Sequence, residues 1–530
     1  MNSKNGESVS VWFDQISMPQ CMSLNEDIKT DVCIIGGGIA GLTTAYLLMK
    51  EGKKVCILEA LELGSGQSGR TTAQFCNALD DRFYVLEKYH GEKGLQLAIQ
   101  SHSEAIRKVT SIVERENIDC ELEKIPGYLF SQDDDEKYVL EKEIEAAHRG
   151  GLTEVKLFKH SPLAFYDLGP NLFFPNQMQL HPVKYMRGLA DVILAGGGKI
   201  FTNSPVTKII GGENSKVITK NTSTIFCDDI VVATNTPIND KFAIHTKQAP
   251  YRSYVIGLRI PKMSVPKALF WDTLDPYHYV RVESDNISDI LIVGGEDHKT
   301  GQEENPEDCY TRLEEWTRLR FPMATEVVYR WSGQVMEPVD GLAFLGHNPG
   351  SEDNVYIITG DSGNGMTHCT IGAILITDLI MKRKNEWEKL YTPSRKSFRA
   401  AKNYIQVNSN VALQYTDWIE PKFKPNFDTL EMEEGVVFRN GASMVAGYKN
   451  NAGIMEFMTA VCPHLAGVLA WNSAEKSWDC PCHGSRFDCH GKVIEGPAVT
   501  DLKMAGYHDT GHKRILEKEL QAQFDKNALE

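Results

Sequence analysis

Two short words near the C-terminus, Cys462-Pro463-His464 and Cys480-Pro481-Cys482-His483, each set a thiol beside an imidazole, and fifteen residues separate them. A centre that draws on both words must hold two loops face to face, each contributing one sulfur and one nitrogen. Two Cys and two His suit tetrahedral zinc, whose usual spacing keeps the cysteines together in one word and the histidines in another. Here each arm mixes its ligands and is followed by small residues. That pattern favours a [2Fe-2S] cluster in which one iron takes two thiolates and the other two neutral imidazoles. Zinc stays as the alternative. The candidate ligands are Cys462, His464, Cys480 and His483.

The flanking words CPHLAG, WDCPCHGSRFD and Gly491 to Pro497 resemble the Rieske domain family, over residues 428–512. In respiratory members a disulfide joins the cysteine three residues after the first ligand histidine to the cysteine preceding the second. The first of those positions is Gly467 here, which leaves Cys482 unbridged and fits a reducing cytoplasm. Ser485 is placed to bond a cluster sulfide. Phe487 stands where those members carry a tyrosine that bonds a ligand sulfur. Hydrogen bonds to sulfur raise the potential, so the resemblance implies one below the respiratory type.

A chain of 530 residues exceeds one ordinary core and predicts two or three domains. Its 42% apolar and 24% charged residues are those of a folded globular protein. The net charge of −15 argues against nucleic acid and anionic membrane surfaces, both of which reward a basic patch. Lys382-Arg383-Lys384 is expected to neutralise a helix C-terminus. No targeting segment is visible in MNSKNGESVSVWFDQ. Nor is there an apolar run of about 18 residues, as membrane insertion requires. A cytoplasmic protein is expected. Twelve cysteines are too few for a disulfide scaffold, and Cys33 and Cys56 read as core thiols.

From Asp31, DVCIIGGGIAGLTTAYLLMKEGKKVCILEA reads as strand, glycine turn, helix and second strand, ending at Glu59. This is a dinucleotide-binding half. Gly36 permits the tight turn, Gly38 lets backbone approach a pyrophosphate, and Gly41 allows close helix-to-strand packing. The helix N-terminus offers unpaired N–H groups to phosphate. Glu59 is placed for the adenosine ribose. No second such motif is expected, because Gly196-Gly197-Gly198 closes a helix and Gly294-Gly295 lies in a strand. A nicotinamide site is therefore unsupported.

The small polar loop GSGQSGRTTAQ (64–74) that follows resembles the cofactor-wrapping loop of glycine-oxidase and D-amino-acid-oxidase-like flavoproteins. Pro205-Val206, DDIVVATNTP, RWSGQVMEPVDGLAFLG and VYIITGDSGNGMTHCTIGAILITDLI extend the resemblance over about residues 8–390. It implies FAD, held by Gly36, Gly38, Gly41, Glu59, Ser68, Thr71, Thr72, Val206, Gly363, Gly365 and Met366. The implied fold class is α/β, a Rossmann-like FAD-binding domain with an inserted mixed β-sheet substrate domain, plus a small all-β Rieske domain. FAD-binding parts fall near 28–80, 160–237 and 330–390, and substrate-domain parts near 81–159 and 238–329. A polar linker (391–427) leads to the Rieske domain, and residues 513–530 form a surface helix or loose tail. Ile106, Val109 and Val113 share a helical stripe, and the acidic run Asp133 to Glu136 opens another helix.

The flavoprotein resemblance implies oxidation of a C–N bond in an amine or amino-acid-like substrate, with protein groups supplying position and electrostatics. A fused one-electron cluster implies a dehydrogenase that exchanges electrons singly with a protein or quinone. Amino-acid oxidising relatives carry an arginine two residues after the glycine of a WxG word, as a carboxylate clamp. Val335 occupies that position here. Tyr279 and Arg281, on a substrate-domain strand, are candidate substrate residues, as is Arg252. Competing readings are a redox sensor without turnover and an oxygen-using oxidase with a structural cluster. Cys369, on the flavin-side helix, reads as a core thiol, with covalent FAD attachment as its alternative.

Overall fold

Strands Val32–Ile35 and Val55–Leu58 are buried at every position. Strands with no polar side belong inside a sheet covered on both faces, which calls for parallel pairing and crossover helices. The computed structural model has that arrangement and describes residues 6–14, 16–131, 137–239, 243–419 and 425–505. A six-stranded sheet runs in the order Phe344–His347, Val355–Thr359, Asp229–Val232, Val32–Ile35, Val55–Leu58 and Lys199–Phe201. All pairings are parallel except that of the edge strand Phe344–His347. Cys33 lies opposite Cys56, and both thiols join the apolar core on one face with Ile35, Leu58 and Val232. Val32, Ile34 and Ile57 point the other way, into the core that holds helices Ile39–Lys50 and Gly365–Ile380.

The second layer is a nine-stranded mixed sheet assembled from distant parts of the chain. Its order is Val327–Pro338, Gln248–Ile260, Asp289–Lys299, Tyr279–Ser284, Leu269–Asp272, Glu123–Phe130, Asn171–Gln179 and Gln74–Phe75, with Lys156–Phe158 paired beside Asn171–Gln179. Gly294-Gly295 lies within one of these strands, and Gly196 caps helix Pro182–Ala195, so neither glycine run opens a dinucleotide turn. Helix Phe83–Glu116 breaks at Gly91, where φ is 73°. It buries Ile106 and Val109, packs Val113 beside them, and joins the dinucleotide core against helix Gly365–Ile380. Segment 81–159 is thus divided, its first helix in one core and its strand in the mixed sheet. The acidic run 133–136 lies outside the described residues. Arg383, just beyond helix Gly365–Ile380, pairs with Asp378 and Glu51.

The polar connector contains helix Ala401–Gln414, which buries none of its residues. Its polarity is that of a helix lying on a surface. The 3-10 turn Tyr415–Trp418 then reaches the first ligand loop, where Tyr415 Oη donates to the Leu465 carbonyl (2.6 Å) and Trp418 Nε1 to that of Ala466 (3.0 Å). Beyond it stand two antiparallel sheets, Glu434–Asn440, Ser443–Lys449 and Met455–Thr459, then Ala470–Asn472, Ser477–Asp479, Arg486–Asp488 and Val493–Glu495. Phe427, Phe438 and Phe457 fill the first, and Trp478 and Phe487 the second. The tail 513–530 lies outside the described residues.

A Cβ on Gly41 would stand 1.9 Å from the Gly36 carbonyl oxygen, which is backbone and cannot give way. Gly41→Ala is expected to cost about 1–3 kcal/mol or more and to displace the glycine turn. Denaturant unfolding and bound FAD per polypeptide check it, and a fully loaded variant of wild-type stability contradicts it.

Candidate functional site

The glycine turn opens onto a cavity of about 460 Å³. Gly36 sits there at φ +112°, with the Ala233 carbonyl 2.3 Å from where a Cβ would be, so only glycine fits the crossing. Ser68 Oγ accepts from the first helical N–H, that of Ile39, at 3.0 Å. Glu59 ends the second strand with its carboxylate on the N–H groups of Gly37 (2.7 Å) and Leu61 (2.9 Å). Burial raises its pKa. Gly36, Gly38, Glu59, Ser68, Thr71, Thr72, Val206, Gly363, Gly365, Met366 and Tyr279 all line the cavity, as do Val335 and Cys369. Burial pushes the Cys369 thiol up to about 12. Gly41 stands behind the lining, in the helix-to-strand contact. A side-chain-free turn, a helix N-terminus and a carboxylate at the strand end fit a dinucleotide.

The two ligand loops are closed by matching bonds. Cys462 N–H donates to the Gly467 carbonyl (2.9 Å) and Ala466 N–H returns to Cys462 (3.0 Å). Cys480 N–H donates to Ser485 (2.8 Å) and Gly484 N–H returns to Cys480 (3.0 Å). Both ligand sulfurs are buried and adjoin each other. The His464 and His483 rings stand 5.2 Å apart at 86°. His483 Nδ1 is buried without a hydrogen-bond partner, and burial, with His245 and His464 beside it, pushes its pKa down to about 3. A neutral imidazole with a ring nitrogen held in reserve is what an imidazole-ligated iron needs. A Cβ on Gly467 would lie 2.7 Å from Cys482 Sγ and 3.2 Å from Cys480 Sγ. Cys482 is a free thiol, and Phe487, fully buried, brings no hydroxyl to the centre.

The FAD dependent oxidoreductase model, DAO, matches residues 31–379, and the Rieske [2Fe-2S] domain model matches residues 425–506. The chain is a DAO-family FAD-dependent oxidoreductase with a Rieske domain. A Bacillus subtilis protein named as a Rieske 2Fe-2S iron-sulfur protein, YhfW, is 30% identical over 93% of this chain and 96% of its own length. The gamma-glutamylputrescine oxidoreductase of Escherichia coli is 26% identical over 68% of this chain and 85% of its own. Among solved structures, glycine oxidase from Geobacillus kaustophilus shares the fold with a TM-score of 0.59 at 18% identity, covering 69% of this chain and 99% of that one. The family brings FAD and a [2Fe-2S] cluster, and the zinc alternative falls.

The Rieske domain is built into the flavin cavity. Val493, Glu495, Gly496 and Ala498 line it opposite the glycine turn. Glu495 accepts from Gln67 Nε2 (2.9 Å) and Asn235 Nδ2 (3.1 Å), and Gln334 Nε2 donates to the Gly484 carbonyl (3.0 Å). At the centre of this seam Glu475 is fully buried, 3.2 Å from both Arg70 and Arg252 and bonded to Ser8 and Ser332. Burial alone would raise its pKa, yet the guanidiniums of Arg70, Arg252 and Arg486 hold it down at about 2. His245, buried on a flavin-domain loop, meets the His464 ring edge-on at 4.9 Å and the His483 ring at a tilt at 5.4 Å.

Two expected substrate arginines have other duties. Arg281 is absent from the cavity lining. Its Nη1 donates to the carbonyls of Thr72, Ala73 and Leu180 (3.1–3.2 Å), its Nη2 pairs with Glu283, and Trp12 lies over it at 5.1 Å. It props the loop 64–74 through these carbonyls. Arg252 binds Glu475 and Ser332 and belongs to the seam. Tyr279 does face the cavity, its hydroxyl 2.6 Å from Ser253 Oγ. Residues missed in the sequence are Glu475 and His245, each in a turn or loop with no spacing signal around it.

Glu475→Gln leaves two buried guanidiniums without their anion, and the expected cost is about 3–5 kcal/mol. Thermal unfolding and the rate of proteolysis within 391–427 measure it. Acid tests the same pair. The folded carboxyl sits near 2, below an ordinary glutamate at about 4.3, so its contribution is complete above that value and lost as pH falls toward 2. The acid-induced part of unfolding should shrink in Glu475→Gln, and an unchanged acid profile would contradict the assignment.

Proposed function

We propose that this protein oxidises the C–N bond of an amine or amino-acid-like substrate at its FAD and passes the electrons singly through its own Rieske cluster to an external one-electron acceptor, a protein or quinone. The observation that carries the reading is the shared wall. The strand Val493–Glu495 of the Rieske domain lines the same cavity as the glycine turn, and His245 of the flavin domain touches both ligand imidazoles. FAD supplies hydride-accepting chemistry, and the cluster one-electron chemistry. The chain's own residues supply placement. Thr71 and Thr72 form a wall propped by Arg281, Gly363 and Gly365 bring backbone close, and Glu495 and its neighbours screen the cofactor from water. The amine reading draws support from the gamma-glutamylputrescine oxidoreductase relative, and the flow from FAD to cluster makes the enzyme a dehydrogenase rather than an oxidase. A reducing, cytoplasmic setting agrees with the absence of disulfides among the twelve cysteines, two of them cluster ligands.

Anaerobic mixing with a panel of amines and amino acids tests the relay. Substrate should bleach the flavin first and the cluster afterwards. Cys480→Ser, checked for retained FAD, should keep flavin bleaching and lose reduction of a one-electron acceptor. A flavin inert to the whole panel favours a redox sensor, and acceptor reduction undiminished in Cys480→Ser removes the relay.

A further inference from the structure

One end of the cavity is walled by the mixed sheet, and its chemistry is acidic. Strand Asp289–Lys299 carries a bulge against Gln248–Ile260, between the pairs Arg252 with His298 and Tyr254 with Gly295. Gly295 and Glu296 take positive φ there, 154° and 59°. A bulge re-aims the side chains that follow it, and Asp297 is among the cavity-lining residues. Its Oδ1 is buried and has no hydrogen-bond partner. Asp80 lines the same end, with Tyr277 Oη donating to its Oδ2 at 3.1 Å and its carboxylate packed against Gly363. Tyr277 and Tyr279 lie 5.5 Å apart between centroids and line this end with the two carboxylates.

No cation among the described lining residues pairs with them, and Arg82, outside the lining, draws Asp80 down. The cationic side chains among the described lining residues are Arg70, Lys220 and Lys492, and they pair with Glu475 and Asp501. Behind the chamber stand further acids, Asp81 and Glu337, both bonded to Ser362. Val335 adds an apolar side chain to the lining. Burial pushes Asp80 and Asp297 up to about 7, against the pull of Arg82 on Asp80 and of Ser253 and His278 on Asp297. A positively charged guest in the cavity gains both carboxylates as partners, and two tyrosine rings add cation–π attraction.

We infer that the substrate is a cationic amine with no carboxylate on the reacting carbon, recognised by Asp297 and Asp80 with Tyr277 and Tyr279. This deepens the proposed function and rests on its placement of substrate in this cavity. A carboxylate on the same carbon would enter a chamber of like charge with no arginine to receive it. The inference therefore separates amines from their α-carboxylated counterparts.

The test uses the holoenzyme and two probes that differ by one carboxylate, 1,4-diaminobutane and ornithine. Binding is read from perturbation of the flavin spectrum in an anaerobic titration, and turnover from flavin bleaching. We expect 1,4-diaminobutane to bind at least about tenfold more tightly than ornithine, as loss of a charged hydrogen bond implies. Asp297→Asn and Asp80→Asn should each weaken 1,4-diaminobutane by about tenfold or more with FAD content and cluster spectrum unchanged. Asp297→Glu should recover part of the loss. Ornithine binding as tightly as the diamine, neither probe binding, or asparagine variants with undiminished diamine affinity overturns the inference. Selective diamine binding without bleaching supports the recognition chamber and sinks the dehydrogenase reading instead. Bleaching by ornithine alone does the reverse.

Discussion

One buried carboxylate, Glu475, decides how the two cofactor domains meet. It stands between Arg70 of the FAD-wrapping loop and Arg252 of the mixed sheet, with no exposure to solvent. Each of these groups is costly to bury alone, and removing any one strands the others. The arrangement ties three parts of the chain to one point: the loop 64–74, the mixed sheet and the Rieske hairpin. The N-terminal segment joins it through Ser8, and Trp12 anchors that segment to Thr71 with a 2.6 Å hydrogen bond. The seam is therefore specific in register as well as tight.

This docking gives the flavin cavity a wall from another domain and sets the His464 and His483 rings against His245. The two ligand loops are themselves held by the turn after the connector helix, through Tyr415 and Trp418. The Rieske fold here forms part of the cavity wall. Its departures from the respiratory pattern follow the same logic, because Gly467 leaves Cys482 a free thiol and Phe487 fills core volume without a hydroxyl.

Charge is distributed just as unevenly inside the cavity. The cofactor end has glycines, a helix N-terminus and lysines paired with Asp501, whereas the opposite end has Asp80, Asp297 and two tyrosines. An enzyme for α-amino acids needs a cation at that second end. The arginines that the sequence offered for the role, Arg281 and Arg252, are engaged with backbone carbonyls and with Glu475.

The sequence alone determined what depends on residues close together in the chain. Gly36, Gly38, Gly41 and Glu59 announce a dinucleotide turn because turn, helix and strand end are neighbours, and Cys462, His464, Cys480 and His483 announce a cluster because each ligand word is a few residues long. Tertiary structure decided everything that rests on meetings across the chain. Arg281 looked available because a strand arginine shows its neighbours and not its target, which is the carbonyl of Leu180. Glu475 and Arg70 are 405 residues apart, and Asp297 enters the cavity through a bulge that alternation does not encode. The destination of a charged side chain is set by which opposite charge the fold delivers to it, since burial is tolerated only where that partner arrives.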